Sequence, residues 1–316
     1  YDRLCDYQDC GIITSMESRT RAYIKIQEGC DRFCAYCLSP FARGKVRSRD
    51  PEEIVKEART LIDKGFKELI LTGINTALYG SEDGFCEKYL GASYGGLRGV
   101  EIIIAALDDL PGDFRIRLSS LEPAVINSEY VKKLMKYRRL CHHLHLSAQS
   151  GSDRVLKLMN RPYGRKQYLD IIKVLREADP LYGVSTDIIV GFPCETEEDL
   201  GDSIKLIKEA EFCKVHPFRY SKREGTAAAL MDGQIDHRIK NLRMEALTSA
   251  AERYVSEFLE KCIGDRRTVL FEERDGDLVT GYTDNYIKVY AEGSEINCFK
   301  EVRLLERYRD GMKGEI

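Results

Sequence analysis

Apolar residues along this chain follow two rhythms. Short β-rich runs at 22–27, 68–71, 114–118, 143–147, 184–190 and 215–220 alternate with segments whose apolar positions recur at helical spacing. That alternation predicts strands of a parallel sheet joined by crossover helices, and six such units amount to a partial (β/α)6 barrel of the TIM kind. Chemistry in such a barrel gathers at the C-terminal ends of the strands. The first clear helix is signalled by Asp50 as N-cap, Pro51 at the first helical position and Glu53 as a capping-box acid. Ile54, Val55, Ala58, Leu61 and Ile62 form its apolar face, and Gly65 supplies a left-handed end. Residues 80–99 are rich in Gly and Tyr and keep neither rhythm, so they read as a surface loop. A long helical segment at 237–261 precedes a change to period-two alternation at 267–271, 278–282 and 286–289. This marks a second domain, with the length of a small antiparallel barrel of the oligonucleotide-binding kind.

Composition narrows the class. The chain has 316 residues, 43% of them apolar and 32% charged, and contains no apolar run of membrane-spanning length. A net charge of -3 leaves any nucleic-acid binding to local basic patches. Eleven cysteines, odd in number and with three tightly grouped, argue against a secreted disulfide framework and for a reducing, cytoplasmic setting. The sequence opens at Tyr1 without a signal-like segment or an initiating Met, which leads us to expect further residues upstream.

The grouped thiols are Cys30, Cys34 and Cys37, spaced C-x3-C-x2-C just after the first strand. Three thiolates can hold three irons of a 4Fe-4S cluster and leave the fourth open to an exchangeable ligand. In radical enzymes built this way, S-adenosylmethionine fills that position and is cleaved to a 5'-deoxyadenosyl radical. The competing reading is structural zinc, which needs a fourth ligand that no nearby Cys or His supplies.

The run GCDRFCAYCLSPFARGKVRSR from Gly29 to Arg49 resembles the cluster loop of the radical S-adenosylmethionine methylthiotransferases. Within that family it is most similar to the branch acting on N6-threonylcarbamoyladenosine in tRNA, as are LTGINTALYG at 71–80 and the segments 145–152, 185–195 and 216–226. The resemblance implies a methylthio group added to C2 of the adenosine at position 37, with the anticodon stem-loop as partner and flavodoxin or ferredoxin as electron donor. Methylthiolation of isopentenyladenosine or of a ribosomal-protein aspartate, and an RNA-binding module with a merely structural cluster, are the alternatives. The resemblance also implies a TRAM domain at 259–316 after a radical barrel at 19–258, with 1–18 as the remnant of a linker. Full-length members carry an N-terminal domain whose three cysteines hold a second 4Fe-4S cluster. Cys5 and Cys10 do not match that pattern, so this chain is expected to be a fragment that binds one cluster, cleaves the cofactor and fails to insert sulfur.

Beside that resemblance, the strand ends offer cofactor contacts on their own chemistry. Thr72, Gly73 and Asn75 could meet the methionine amino group or form an ordinary turn, and Gln149, Ser150 and Gly151 suit ribose or carboxylate contacts or a capped loop. Gly191 would admit backbone to the adenine, while Asp187 is equally a ligand or a structural hydrogen-bond partner. Family members usually carry Gly where this chain has Cys194 and Leu where it has Ala148, which leaves open whether Cys194 crowds the cofactor. Arg43, Lys45, Arg47 and Arg49 alternate along one face and could meet phosphates, or could form a loop ion-paired to Glu52 or Glu53. In the terminal domain Arg266, Arg267, Tyr282, Tyr286 and Lys288 are the candidate RNA contacts, although acids there outnumber bases. His142, His143 and His145 read as structural.

Overall fold

The computed structural model describes residues 20–90 and 96–316; Cys5, Cys10 and the 1–18 linker lie outside that range. Its strands are β1 (Arg21–Glu28), β2 (Arg47–Ser48), β3 (Glu68–Gly73), β4 (Arg115–Leu118), β5 (His143–His145), β6 (Gly183–Val190) and β7 (Lys214–Arg219), followed by β8 (Arg266–Asp275), β9 (Leu278–Thr283), β10 (Lys288–Glu292), β11 (Cys298–Tyr308) and β12 (Gly311–Glu315). The α-helices are α1 (Ser39–Arg43), α2 (Pro51–Asp63), α3 (Glu101–Asp108), α4 (Ser128–Leu134), α5 (Asp153–Leu158), α6 (Arg165–Ala178), α7 (Glu197–Ala210), α8 (Ala227–Leu230) and α9 (His237–Lys261).

β1, β3 and β4 pair in parallel, as do β5, β6 and β7, and bridges at Ile116–Leu140 and Leu121–Leu146 join the two groups. The result is the expected open six-stranded barrel. Strand alternation divides its faces. On β1, Ala22, Ile24 and Ile26 are fully buried beneath the helices, whereas Tyr23, on the opposite face, is 52% exposed. Helix α2 begins as expected, with Asp50 accepting from the Glu52 amide and Pro51 at the first position. Gly65, at a φ of 89°, ends it in the left-handed region.

Two expectations need correction. The 80–99 stretch is not simply a surface loop: Phe85 is buried edge-on against Tyr79, and Glu82 accepts hydrogen bonds from the Ser48 amide and hydroxyl. The terminal barrel closes in the order β10-β12-β11-β8-β9, and its β10–β12 closure is parallel rather than antiparallel. Strands β11 and β12 escaped the sequence pattern because β11 alternates inward only at Val302 and Leu304, amid charged residues.

This barrel docks on the strand N-termini of the larger one. Fully buried Glu68 binds Arg115 at 2.5 Å and Arg117 at 3.0 Å, and these arginines donate onward to the Tyr282 and Thr283 carbonyls at the end of β9 and to the Asp284 carbonyl of the β9–β10 turn. The turn reaches so close that a Cβ at Gly183 would stand 2.0 Å from the Asn285 carbonyl, so only glycine fits there. Burial alone would raise the Glu68 pKa, but Arg117, Arg115 and Arg21 outweigh it and hold the carboxyl well below the usual range.

Candidate functional site

The cysteine loop leaves β1 at Gly29 and returns at β2, where Gln27 and Glu28 pair with Ser48 and Arg47. Gly29, at a φ of 72°, is required because a Cβ would stand 1.8 Å from the Lys45 carbonyl. Arg47 donates to the Arg43 and Lys45 carbonyls and to Glu28, clasping the loop base. Arg49 forms a buried pair with Glu57. The expected phosphate-facing stripe is therefore corrected: Arg47 and Arg49 are buried, and only Arg43 and Lys45 lie on the surface. Basic charge at alternate positions does not imply exposure when strand β2 is buried on both faces.

The loop is tied to the barrel by backbone bonds from Ala35 to the Met159 carbonyl and from Ala228 to the Ala35 carbonyl. Cys30, Cys34 and Cys37 thereby come to one side of a cavity of about 170 Å³ at the C-terminal ends of the strands, with Asn75, Glu122, Gln149 and Arg161 among the other walls. Burial pushes the Cys30 thiol up and the Cys34 thiol to about 11, which favours the neutral thiol over the thiolate at both positions. Among the described residues no three Cys, His, Asp or Glu side chains converge tightly enough for a single metal ion.

Glu122, 4% exposed, organises the polar part of the lining. It accepts from Asn75 Nδ2 at 2.8 Å, Arg32 Nε at 2.9 Å and Arg161 Nη1 at 3.1 Å. Asn75 Oδ1 and Arg161 Nε are buried without a hydrogen-bond partner. One free acceptor and one free cationic donor beside three thiols match the ammonium and carboxylate of an amino acid. Neither Glu122 nor Arg161 was singled out from sequence, though an acid followed by proline after the fourth strand was a legible signal.

Other expected contacts are placed differently. Gln149 lines the cavity in a left-handed conformation, with φ 64°. Thr72 and Gly73 end β3, one step before the cavity wall formed by Ile74 and Asn75. Ser150 and Gly151 turn away into α7, where the Gly151 amide donates to Ser203 Oγ at 2.9 Å; they form the capped loop. Gly191 is closed off by the Glu195 carboxylate on its amide and the Lys240 stem beside its Cα. Asp187 faces the barrel lumen, 3.2 Å from His145 Nε2. Cys194 is not among the residues lining the cavity and donates to the Asp232 carbonyl, at a φ of 65° that glycine adopts most easily.

The terminal RNA contacts are also corrected. Arg267 binds Asp179 at 2.7 Å, Tyr286 stacks on His143 at 4.5 Å beneath Arg117, and Tyr282 stacks on Tyr286. All three are committed to the joint between barrels. Lys288 is paired with Asp310, while Arg266 is exposed. Among the described residues no helix is long and apolar enough to cross a membrane.

Residues 24–207 match the family model described as the radical SAM superfamily. The chain is 39% identical, over 92% of its length, to the threonylcarbamoyladenosine tRNA methylthiotransferase MtaB of Bacillus subtilis, and 36% identical, over 96%, to that of Chlamydia pneumoniae. It spans 63% and 70% of those two proteins. It is 35% identical to the tRNA-2-methylthio-N(6)-dimethylallyladenosine synthase of Clostridium novyi, over 83% of this chain and 56% of that one. Among solved structures, coproporphyrinogen III oxidase (HemN) of Escherichia coli, a radical SAM enzyme, matches with a TM-score of 0.54 and 17% identity over 76% of this chain and 54% of that one, a likeness of fold.

Proposed function

The chain belongs to the radical SAM superfamily and, within it, to the tRNA methylthiotransferases, and from that membership we propose that it is the radical-generating part of an enzyme that adds a methylthio group to C2 of N6-threonylcarbamoyladenosine at position 37 of tRNA. The observation that carries the reading is the gathering of three thiols around one cavity with Asn75 and Arg161, whose Oδ1 and Nε are buried and unpartnered.

Cys30, Cys34 and Cys37 hold three irons of a 4Fe-4S cluster. Asn75 Oδ1 accepts from the ammonium of S-adenosylmethionine and Arg161 donates to its carboxylate. Glu122 holds both side chains in place and offsets part of the charge of the two guanidinium groups, of Arg32 and Arg161, that it binds. Gln149 adds an amide from the end of β5. The bound cluster and cofactor supply, through one-electron cleavage of a carbon-sulfur bond, the radical needed for a C–H too inert for any side-chain base. Because the chain spans 63% of the first relative, sulfur insertion is assigned to the longer protein, with its second cluster, and cofactor cleavage to this chain. The anticodon stem-loop and a flavodoxin- or ferredoxin-like donor complete the reaction.

The test is anaerobic reconstitution followed by iron counting and a 5'-deoxyadenosine assay with dithionite. About four irons per chain and product formation are expected. A protein that takes up zinc instead, or a cluster-loaded protein that leaves the cofactor intact, overturns the proposal; methylthiolated tRNA from this chain alone overturns the division of labour.

A further inference from the structure

The lumen of the open barrel holds a polar group that the cofactor reading does not use. Ser185 Oγ on β6 lies 2.9 Å from both His143 Nε2 and His145 Nδ1 on β5. His145 Nε2 reaches Asp187 Oδ2 at 3.2 Å, and Ser147 Oγ contacts the same oxygen at 3.4 Å. From β7 the His216 ring comes within 5.9 Å of the His145 ring. His216 makes no side-chain hydrogen bond among the described residues, while its partly buried ring has lost part of its hydration.

Position gives this group a meaning. Ser147 lines the thiol cavity, and His145 lies two residues earlier on the same face of β5, about 7 Å toward the strand start. The group therefore sits directly below the cavity. The barrel is open along β1 and β7, where Tyr23 and Phe218 are 52% and 50% exposed, so a macromolecular substrate can enter from the side.

Resting on the proposed tRNA reaction, we propose that His216, His145 and Asp187 read the N6 substituent of the target adenosine and select a polar acyl group over a hydrocarbon. The relatives' names define two alternatives. Threonylcarbamoyl offers a carboxylate, a hydroxyl and a urea-like carbonyl and N–H; dimethylallyl offers only carbon. An imidazole N–H of His216 donates to the carboxylate, and Asp187, oriented by His145 and Ser147, accepts from the hydroxyl or N–H. A dimethylallyl group placed there would strip water from His216 and Asp187 and return no hydrogen bond, the situation in which a hydrogen-bonding site discriminates most strongly.

The test compares two anticodon stem-loops of one sequence, carrying either N6-threonylcarbamoyl- or N6-dimethylallyladenosine, for binding to the cluster-reconstituted chain by fluorescence anisotropy at one salt concentration. We expect at least about tenfold preference for the threonylcarbamoyl RNA, the size of one such hydrogen bond to a charged group. His216→Phe should reduce the ratio to within about twofold without weakening the dimethylallyl RNA, and His216→Gln should retain part of it. Equal affinities in the unaltered chain, or an unchanged ratio in His216→Phe, overturn the inference while leaving the tRNA reading intact. Binding of neither RNA overturns both.

Discussion

Two buried glutamates sit at opposite ends of the open barrel, and each collects arginines. At the cysteine end, Glu122 holds Arg32, Arg161 and Asn75 but leaves Arg161 Nε and Asn75 Oδ1 without partners, on residues that line a cavity. At the other end, Glu68 gathers Arg21, Arg115 and Arg117, and the latter two pass their remaining donors to carbonyls of the terminal barrel. The same chemistry thus makes a binding site where a ligand must complete it, and a rigid joint where the protein completes it. Buried charge is stabilising only when its hydrogen-bonding groups are met, and the two ends differ in who meets them.

Removing the defining groups of the site should give the largest effect. Cys34→Ala is expected to abolish cluster assembly, read as loss of the iron-sulfur absorbance and of bound iron, with the unfolding midpoint of the metal-free chain little changed. The joint should respond in the opposite sense. Glu68→Gln leaves the buried guanidinium groups of Arg115 and Arg117 without their anion, while Arg21 keeps Glu272, and the expected cost is about 3–5 kcal/mol in urea unfolding, with no effect on iron content in the folded fraction.

Acid sharpens the contrast. The Glu68 carboxyl is held below its ordinary value in the folded chain, so its contribution is present above about pH 4.5 and is lost as pH falls from there toward the lowered folded value. The stability difference between the unaltered chain and Glu68→Gln should therefore shrink steadily below that pH in a series of urea titrations; a constant gap would break the account.

At the site end, Arg161→Ala should weaken S-adenosylmethionine binding by about ten- to a hundredfold, the worth of a hydrogen bond to a charged group, while the cluster remains. Retention of full affinity would show that Arg161 serves Glu122 alone. The smallest effect belongs to Lys288→Ala, whose surface pair with Asp310 should contribute less than about 1 kcal/mol to unfolding.

Legibility followed the range of the interactions. Gly65, the thiol spacing, the α2 cap at Asp50 and the six strands were visible because each depends on residues close in sequence. The corrections fell where partners are distant. Gly151 packs on α7 some fifty residues later, and Tyr286 inserts against His143 from another domain. An exposed-looking arginine or tyrosine has the same sequence signature whether it faces solvent, RNA or a docked barrel.

The sequence by itself determined the cluster loop, the parallel βα rhythm, the change of period after 261 and the family resemblance, since backbone conformation and metal-ligand spacing are local properties. Only the tertiary structure decided that Glu122 and Arg161, thirty-nine residues apart, share an ion pair at the cavity, that the β9–β10 turn occupies the opposite end, and that three histidines from two strands share one lumen. Strand periodicity states which face a side chain takes; the closure of the barrel states what stands opposite it.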